Sequence, residues 1–300
     1  MSLSTPVAFL IFNRPDTTKQ VFAEIAKAKP QKLFVVADGP RADHPEDAKK
    51  CAAARAVIDQ VDWDCEVLTN YSEVNLGCKR RVSSGLDWAF DNVEEAIILE
   101  DDCLPHPTFF KFCEELLEKY RDDERLAMIS GDNFQFGRRR TEYSYYFSRY
   151  THIWGWGTWR RAWENYDVDM KLWPEIRDGG WLVDWLGDKQ SADYWSTIFE
   201  KTYLKKIDTW DYQWTFSSWA NNLLTILPNL NLVSNIGFNE DGTRTKDSKD
   251  KLANLKIEPM KFPLKHPSFV IRDSIADNIT QKASFESLPK KLLTILKKLL

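Results

Sequence analysis

Glu100, Asp101 and Asp102 stand side by side directly after the apolar run Ile97-Ile98-Leu99. Adjacent carboxylates repel one another unless a positive charge sits among them. A hard divalent ion such as Mg²⁺ or Mn²⁺ supplies it, typically taking one or two protein carboxylates and filling its shell with phosphate and water. An acidic turn that opens the next helix would be the bland alternative; straight after a fully apolar strand the metal reading outweighs it. Three cations, Lys79, Arg80 and Arg81, open a helical pattern. Each opposes the helix macrodipole by about 0.3–1 kcal/mol. An anion docked at the helix start would explain them, and a solvated basic patch explains them equally well. Arg14 follows the run from Val7 to Phe12, where Asn13, Pro15 and Asp16 are also ordinary helix-start residues. Asp38, ahead of Gly39-Pro40, suits a turn as well as a ligand.

Two further segments could do chemistry. Trp154-Gly155-Trp156-Gly157 reads as a loop with flat aromatic faces, which pack on the C–H faces of sugars, although an aromatic mini-core accounts for most of the tryptophans. Eleven of the 13 tryptophans fall between Trp154 and Trp219. Trp210-Asp211-Tyr212-Gln213-Trp214 sets one carboxylate among large aromatics, where partial burial would suit Asp211 to take a proton. Capping its own helix is the other role open to Asp211. There is no P-loop, G-x-G-x-x-G, H-E-x-x-H or G-x-S-x-G motif, and His44, His106, His152 and His266 are dispersed. These absences weigh against NTPase, dehydrogenase, zinc protease and serine hydrolase chemistry.

The elements that must hold these residues alternate. Apolar runs at Val7 to Phe12, Leu33 to Ala37, Cys65 to Thr69, Ala96 to Leu99 and Leu126 to Ser130 are separated by helical patterns. Short apolar runs alternating with helices predict buried parallel strands with right-handed crossovers. The fold class is therefore α/β, an open, mostly parallel sheet with helices on both faces and an aromatic-rich half beside it. In such sheets ligands bind beyond the carboxyl ends of the strands, so Arg14, Asp38, Lys79 to Arg81 and the acidic triplet share one expected rim. The second half predicts helices at about 158–166, 192–206 and 212–222, and strands at 223–227 and 230–234. The expected divisions are 1–140 for the α/β half, 141–250 for the half packed on it and 251–300 for a tail. Residues 239–251 read as a polar loop. Residues 288–300 form a basic amphipathic pattern, which packs on the body or a partner, or makes peripheral membrane contact.

Composition narrows the class. The 300 residues carry 41 basic and 45 acidic side chains, a net charge of −4, which disfavours a nucleic-acid partner. With 43% apolar and 29% charged residues the chain is globular, with no apolar run near the roughly 20 residues that span a bilayer. The N-terminus does not read as a secretory signal, and five scattered cysteines without a C-x-x-C pair fit reduced thiols. The expected location is the cytoplasm, with the inner membrane face as the peripheral alternative.

In this order the landmarks resemble the metal-dependent glycosyltransferases of the GT-A fold, nearest to the animal N-acetylglucosaminyltransferase I family, and a bacterial set named hemolytic-protein-like is similar. The resemblance rests on Ile98-Leu99-Glu100-Asp101-Asp102, on Pro107-Thr108-Phe109-Phe110 after it, and on Arg14, Asp38 and Lys79 to Arg81 before it. Gly155-Trp156 and Trp210-Asp211 follow, so it spans about 7–242. It implies that Asp102 ligates Mn²⁺ or Mg²⁺, with Asp101 on the ribose or the metal and Glu100 near the donor sugar. Arg14 and Asp38 would hold the nucleotide with Lys79, Arg80 and Arg81 close by. Asp211 would deprotonate the acceptor in an inverting transfer. The implied partners are a nucleoside diphosphate sugar, UDP-linked by preference, and a hydroxyl of a glycan, lipid-linked or polysaccharide acceptor. The segment 79–81 is more basic than in the animal family, and the tail has no counterpart. A non-catalytic carbohydrate-binding protein and a sugar nucleotidyltransferase are the alternatives. The latter class resembles a glycine-rich first loop, where this chain has Phe12-Asn13-Arg14-Pro15.

Overall fold

Each apolar run of the first half becomes a strand because both of its faces are covered. The computed structural model describes residues 2–238 and 251–285; the expected loop at 239–251, apart from residue 251, and the amphipathic segment 288–300 lie outside them. The first half runs β1 (Val7–Ile11), α1 (Pro15–Ala28), β2 (Lys32–Ala37), α2 (Asp47–Ala56), β3 (Glu66–Tyr71), α3 (Gly77–Asn92) and β4 (Glu95–Glu100). It continues through β5 (Cys103–Pro105), α4 (Thr108–Lys119) and β6 (Leu126–Ser130). The second half adds β7 (Tyr145–Ser148), β8 (Trp156–Trp159), α5 (Arg160–Trp163), α6 (Trp173–Asp178), α7 (Trp181–Leu186), α8 (Lys189–Tyr203) and α9 (Asp211–Ala220). β9 (Leu224–Pro228), β10 (Val233–Asn235) and α10 (Ser274–Thr280) complete it.

One sheet joins the two halves. Its order is β3-β2-β1-β4-β8-β6-β9-β7, and β10 pairs with β5 in a separate two-stranded ribbon. Pairing is parallel from β3 through β4, and β8 runs antiparallel between β4 and β6. The sheet is mostly parallel with helices on both faces. Chain order steps outward from β1 to β2 to β3, then returns through α3 to β4 on the other side of β1. Right-handed crossovers therefore put α1 and α2 on one face and α3 on the other. The connections leaving β1 and β4 part in opposite directions, which opens a crevice at their carboxyl ends.

Three expectations are corrected. The helix expected at 158–166 begins as β8: Trp156, Thr158 and Trp159 favour a pleated surface, and Gly157 pairs with Ile97 and Ile129 where Leu117 leaves little room for a side chain. Only Arg160–Trp163 is helical there. The segment expected as a strand at 230–234 starts at Val233 and pairs with β5, outside the main sheet. β7, where the sequence reading assigns no element, is the sheet's last strand, antiparallel to β9.

The tryptophan-rich half has an apolar centre of its own, in which Trp173, Trp195, Phe199, Phe216 and Trp219 pack together. α9 lies between this cluster and the core of the sheet, giving Trp214 to one and Phe216 and Trp219 to the other. It is buried from Gln213 to Trp219, as expected of a helix with packing partners all round. α10 is capped by Asp273, whose carboxylate accepts from the Ile275 and Ala276 amides. Buried Asp277 then accepts from Ser148 Oγ at 2.5 Å and fastens this helix to β7. Among the described residues no helix is long and apolar enough to cross a membrane.

Candidate functional site

The crevice between β1 and β4 holds the acidic triplet. Glu100 ends β4, in register with Leu10 of β1, and Asp101 and Asp102 turn away behind it. Arg14, just past β1, reaches both: Nη2 donates to Asp101 Oδ1 and Nη1 donates to Asp102 Oδ2 at 2.8 Å. Asp101 Oδ2 accepts from the Phe12 amide at 3.1 Å, so both of its oxygens are spent on the end of β1. Among the described residues Asp102 Oδ1 meets only the Cys103 thiol, at 3.5 Å. The Asp102 carbonyl accepts from the Ile236 amide, and a Cβ on Gly237 would stand 2.3 Å from Asp102 Oδ2. The chain leaving β10 thus runs directly against the Arg14–Asp102 pair.

Three carboxylates against one guanidinium leave this cluster short of positive charge. Glu100 registers the deficit: burial, then the charges of Asp102 and Asp101, push its carboxyl up to about 8, against the pull of Arg14. Burial also raises Asp101, again against Arg14, and those two acids hold the Arg14 guanidinium above its ordinary value although its burial acts the other way. Hard oxygen donors with surplus negative charge fit a divalent cation. Among the described residues no three acidic, histidine or cysteine side chains are grouped to hold one unaided. An ion here would draw its remaining ligands from phosphate and water.

A cavity of about 240 Å³ opens beside the triplet, lined by Arg14, Asp38, Arg81, Glu100 and Asp101. Five expected residues, separated by up to 87 positions, therefore meet (Lys79, Arg80 and Asp102 are not in its wall). Asp38 is buried and accepts from the amides of Gly39, Leu76 and Gly77 and from Asn75 Nδ2, which locks the loop after β3 onto the end of β2. Gly39 permits that contact, since a Cβ there would lie 2.5 Å from the Val74 backbone. Burial raises the Asp38 carboxyl despite those amides. Arg81 donates to Asn70 at 3.0 Å and is lowered by burial, with Asp38 opposing.

Sequence reasoning passed over several residues of this wall. Arg41 chelates Asp47 at 2.6 and 3.0 Å, lies over the Phe12 ring, and with Asn13 holds the Asp47 carboxyl at about 2. Arg41 follows Asp38 on the same strand-end loop, so the rim rule alone could have found it. Asp208 gives no local signal, yet it accepts from the Cys78 and Lys79 amides at 3.0 and 3.3 Å. An anion at the start of α3 is thus supplied by the protein itself. Asp208→Ala uncaps α3, lowering stability by about 1 kcal/mol. Thermal unfolding reads that loss, and faster hydrogen exchange at Cys78 and Lys79 locates it.

The aromatic loop is placed differently from expectation. Trp156 is fully buried, with its ring stacked on Trp210 at 5.4 Å, and Gly155 is buried at φ +66° against Val233 and Leu99. Neither offers a face to a ligand, because Trp156 serves the core between β8 and α9 and Gly155 backs onto β10 and β4. Trp154 is the partly exposed member, and it lines a second cavity, of about 180 Å³. Asp211, the first residue of α9, lines this cavity too, together with Asp132, His152, Tyr212 and Thr215. Its charge adds to the upward push on Glu100, so the rim of α9 and the acidic triplet share one electrostatic environment. The Asp211 carbonyl accepts from Thr215 Oγ1, and that hydroxyl meets Thr151 at 2.5 Å. The triplet borders the first cavity, Asp211 lines the second, and both halves contribute residues to each wall.

No protein-family model and no curated protein matches the chain. Among solved structures it is similar to UDP-glucose pyrophosphorylase complexed with UDP-glucose, with 12% identity and a TM-score of 0.28 over 48% of this chain and 62% of that one. That is less than two thirds of the pyrophosphorylase chain. It is also similar to the inositol-1-phosphate CTP transferase from T. maritima, with 9% identity and a TM-score of 0.32 over 54% of this chain and 74% of that one.

Proposed function

We propose that this chain is a metal-dependent inverting glycosyltransferase, which moves a sugar from a nucleoside diphosphate donor to a hydroxyl of a carbohydrate acceptor. One observation carries the reading: an under-neutralised acidic triplet at the β1/β4 crevice and a carboxylate on α9 stand within electrostatic reach, each beside its own cavity. A single displacement asks for that division. Negative charge builds on the departing diphosphate at one side while a proton leaves the acceptor hydroxyl at the other.

In this reading Asp102 holds Mn²⁺ or Mg²⁺, which when bound stabilises the charge on the leaving diphosphate. Asp101 keeps Arg14 and the end of β1 in place. The nucleotide lies in the cavity walled by Asp38, Arg41 and Arg81, where Asp38 orders the loop it rests on. Glu100 faces the donor sugar. Asp211, in the first turn of α9, takes the acceptor proton. Trp154 supports an acceptor ring from the second cavity.

A panel of nucleotides and nucleotide sugars, titrated by calorimetry with Mn²⁺ and again with EDTA, tests this. UDP or a UDP-sugar should bind with Mn²⁺ and lose at least about tenfold in affinity with EDTA, or about 1.4 kcal/mol. Sugar binding indifferent to EDTA, without nucleotide binding, would identify a carbohydrate-binding protein instead. Pyrophosphate release from UTP and a sugar phosphate would identify a nucleotidyltransferase.

A further inference from the structure

His152 has no assigned part in the chemistry above, yet it is among the most enclosed polar groups of the molecule. Its ring stacks on Phe134 at a centroid distance of 4.4 Å, and its Nδ1 lies 2.6 Å from Asp132 Oδ1 with both side chains buried. Neither ring nitrogen meets hydrogen-bond geometry with any described residue. Asp132 is itself held, since its Oδ2 accepts from the Trp154 amide at 3.1 Å. Both side chains line the cavity that also takes in Asp211 and Trp154.

Buried polar atoms are nearly always paired, so an enclosed imidazole with an idle nitrogen at a cavity wall calls for a partner. With Nδ1 against the Asp132 carboxylate, Nε2 is the ring nitrogen left to take a partner. What fits is a small group that brings an O–H donor and an apolar face. The cavity, at about 180 Å³, is smaller than the roughly 300–1,000 Å³ of drug-sized sites. A purely structural pair tying 131–134 to 150–154 would leave Nε2 unsatisfied, in the wall of the cavity that Asp211 also lines.

We propose that Asp132 and His152 form an acceptor subsite for a single pyranose ring: His152 Nε2 accepts a hydrogen bond from a ring hydroxyl adjacent to the one that Asp211 deprotonates. This rests on the glycosyltransferase reading and deepens it. Asp132 is the positioning residue, since it acts through the imidazole, and the ring of Trp154 supplies the apolar face.

The test uses the full chain loaded with UDP and Mn²⁺, with methyl glucoside, galactoside, mannoside and N-acetylglucosaminide as probes. The His152 ¹⁵N resonances, assigned among the four histidines by their loss in His152→Phe, should shift at Nε2 when one glycoside is added. Saturation transfer to that glycoside should vanish in His152→Phe, fall severalfold in Asp132→Asn and persist in part in His152→Gln, with UDP affinity unchanged in all three. Glycoside binding that survives His152→Phe, or an unmoved Nε2 resonance, overturns the subsite. UDP binding by the wild type without binding of any glycoside overturns it as well and leaves the donor reading standing. Absence of UDP binding by the wild type removes the reading on which the subsite depends.

Discussion

In Asp102→Ala, Mn²⁺-dependent UDP affinity falls by about 100-fold or more, roughly 2.7 kcal/mol, while thermal unfolding in EDTA stays close to wild type. Asp101→Ala does the opposite in its first effect, costing the metal-free fold on the order of 3 kcal/mol. The two acids are neighbours in sequence and differ in what they hold. Asp101 divides its oxygens between Arg14 and the Phe12 amide, both partly buried, so its removal leaves an N–H and half of a guanidinium without their acceptors. Asp102 gives one oxygen to Arg14 and almost nothing to any other group, so its loss leaves Arg14 still paired to Asp101. Removing Asp102 also relieves crowding, because its charge is, after burial, the largest cause of the raised Glu100 carboxyl. Calorimetry with UDP and Mn²⁺, alongside melting curves in EDTA, separates the two effects. Equal UDP affinity in Asp102→Ala would refute the assignment of this residue to the metal.

The first half of this arrangement was legible because its signals are local and repeat. Apolar runs broken by charged or turn residues mark where strands end, and the alternation with helices fixes which ends share a rim. Arg14, Asp38 and the triplet follow from that rule, and so does the meeting of Arg14, Asp38, Glu100 and Asp101 around one cavity. What local pattern could not reveal is who else uses the same groups. Asp208 reaches the start of α3 across 130 positions, and no spacing announces a cap supplied from so far away. Asp38 reads as a turn residue or a ligand, and three of its four donors come from a loop whose approach depends on Gly39. The tryptophans misled for a different reason. Aromatic density signals both sugar faces and core, and only burial tells them apart: Trp156 is sealed between β8 and α9 while Trp154, two residues earlier, remains at a cavity. β8 was hidden by the same density, because its pairing partners β4 and β6 precede it by many residues and run the other way.

Asp211→Asn should leave UDP binding within about twofold and slow transfer by about 10²–10⁴. The substitution keeps size and hydrogen-bonding reach at the first position of α9, so the helix loses only the charge–dipole contribution of about 0.3–1 kcal/mol. It does remove a carboxylate able to take a proton. With no acceptor in hand, the rate is read as Mn²⁺-dependent release of UDP from the tightest-binding donor, with water in the acceptor's place, since water surrenders its proton to the same base. A variant that merely loosened the fold would lower donor affinity and melting temperature together, and Asp211→Ala would then be no slower than Asp211→Asn at equal folded fraction. Full activity in Asp211→Asn would strip Asp211 of its role, and His152, which lines the same cavity, would become the group to replace next. If both substitutions left UDP release untouched, the second cavity would have no part in the displacement, and the division of labour between the two halves would have to be abandoned with it.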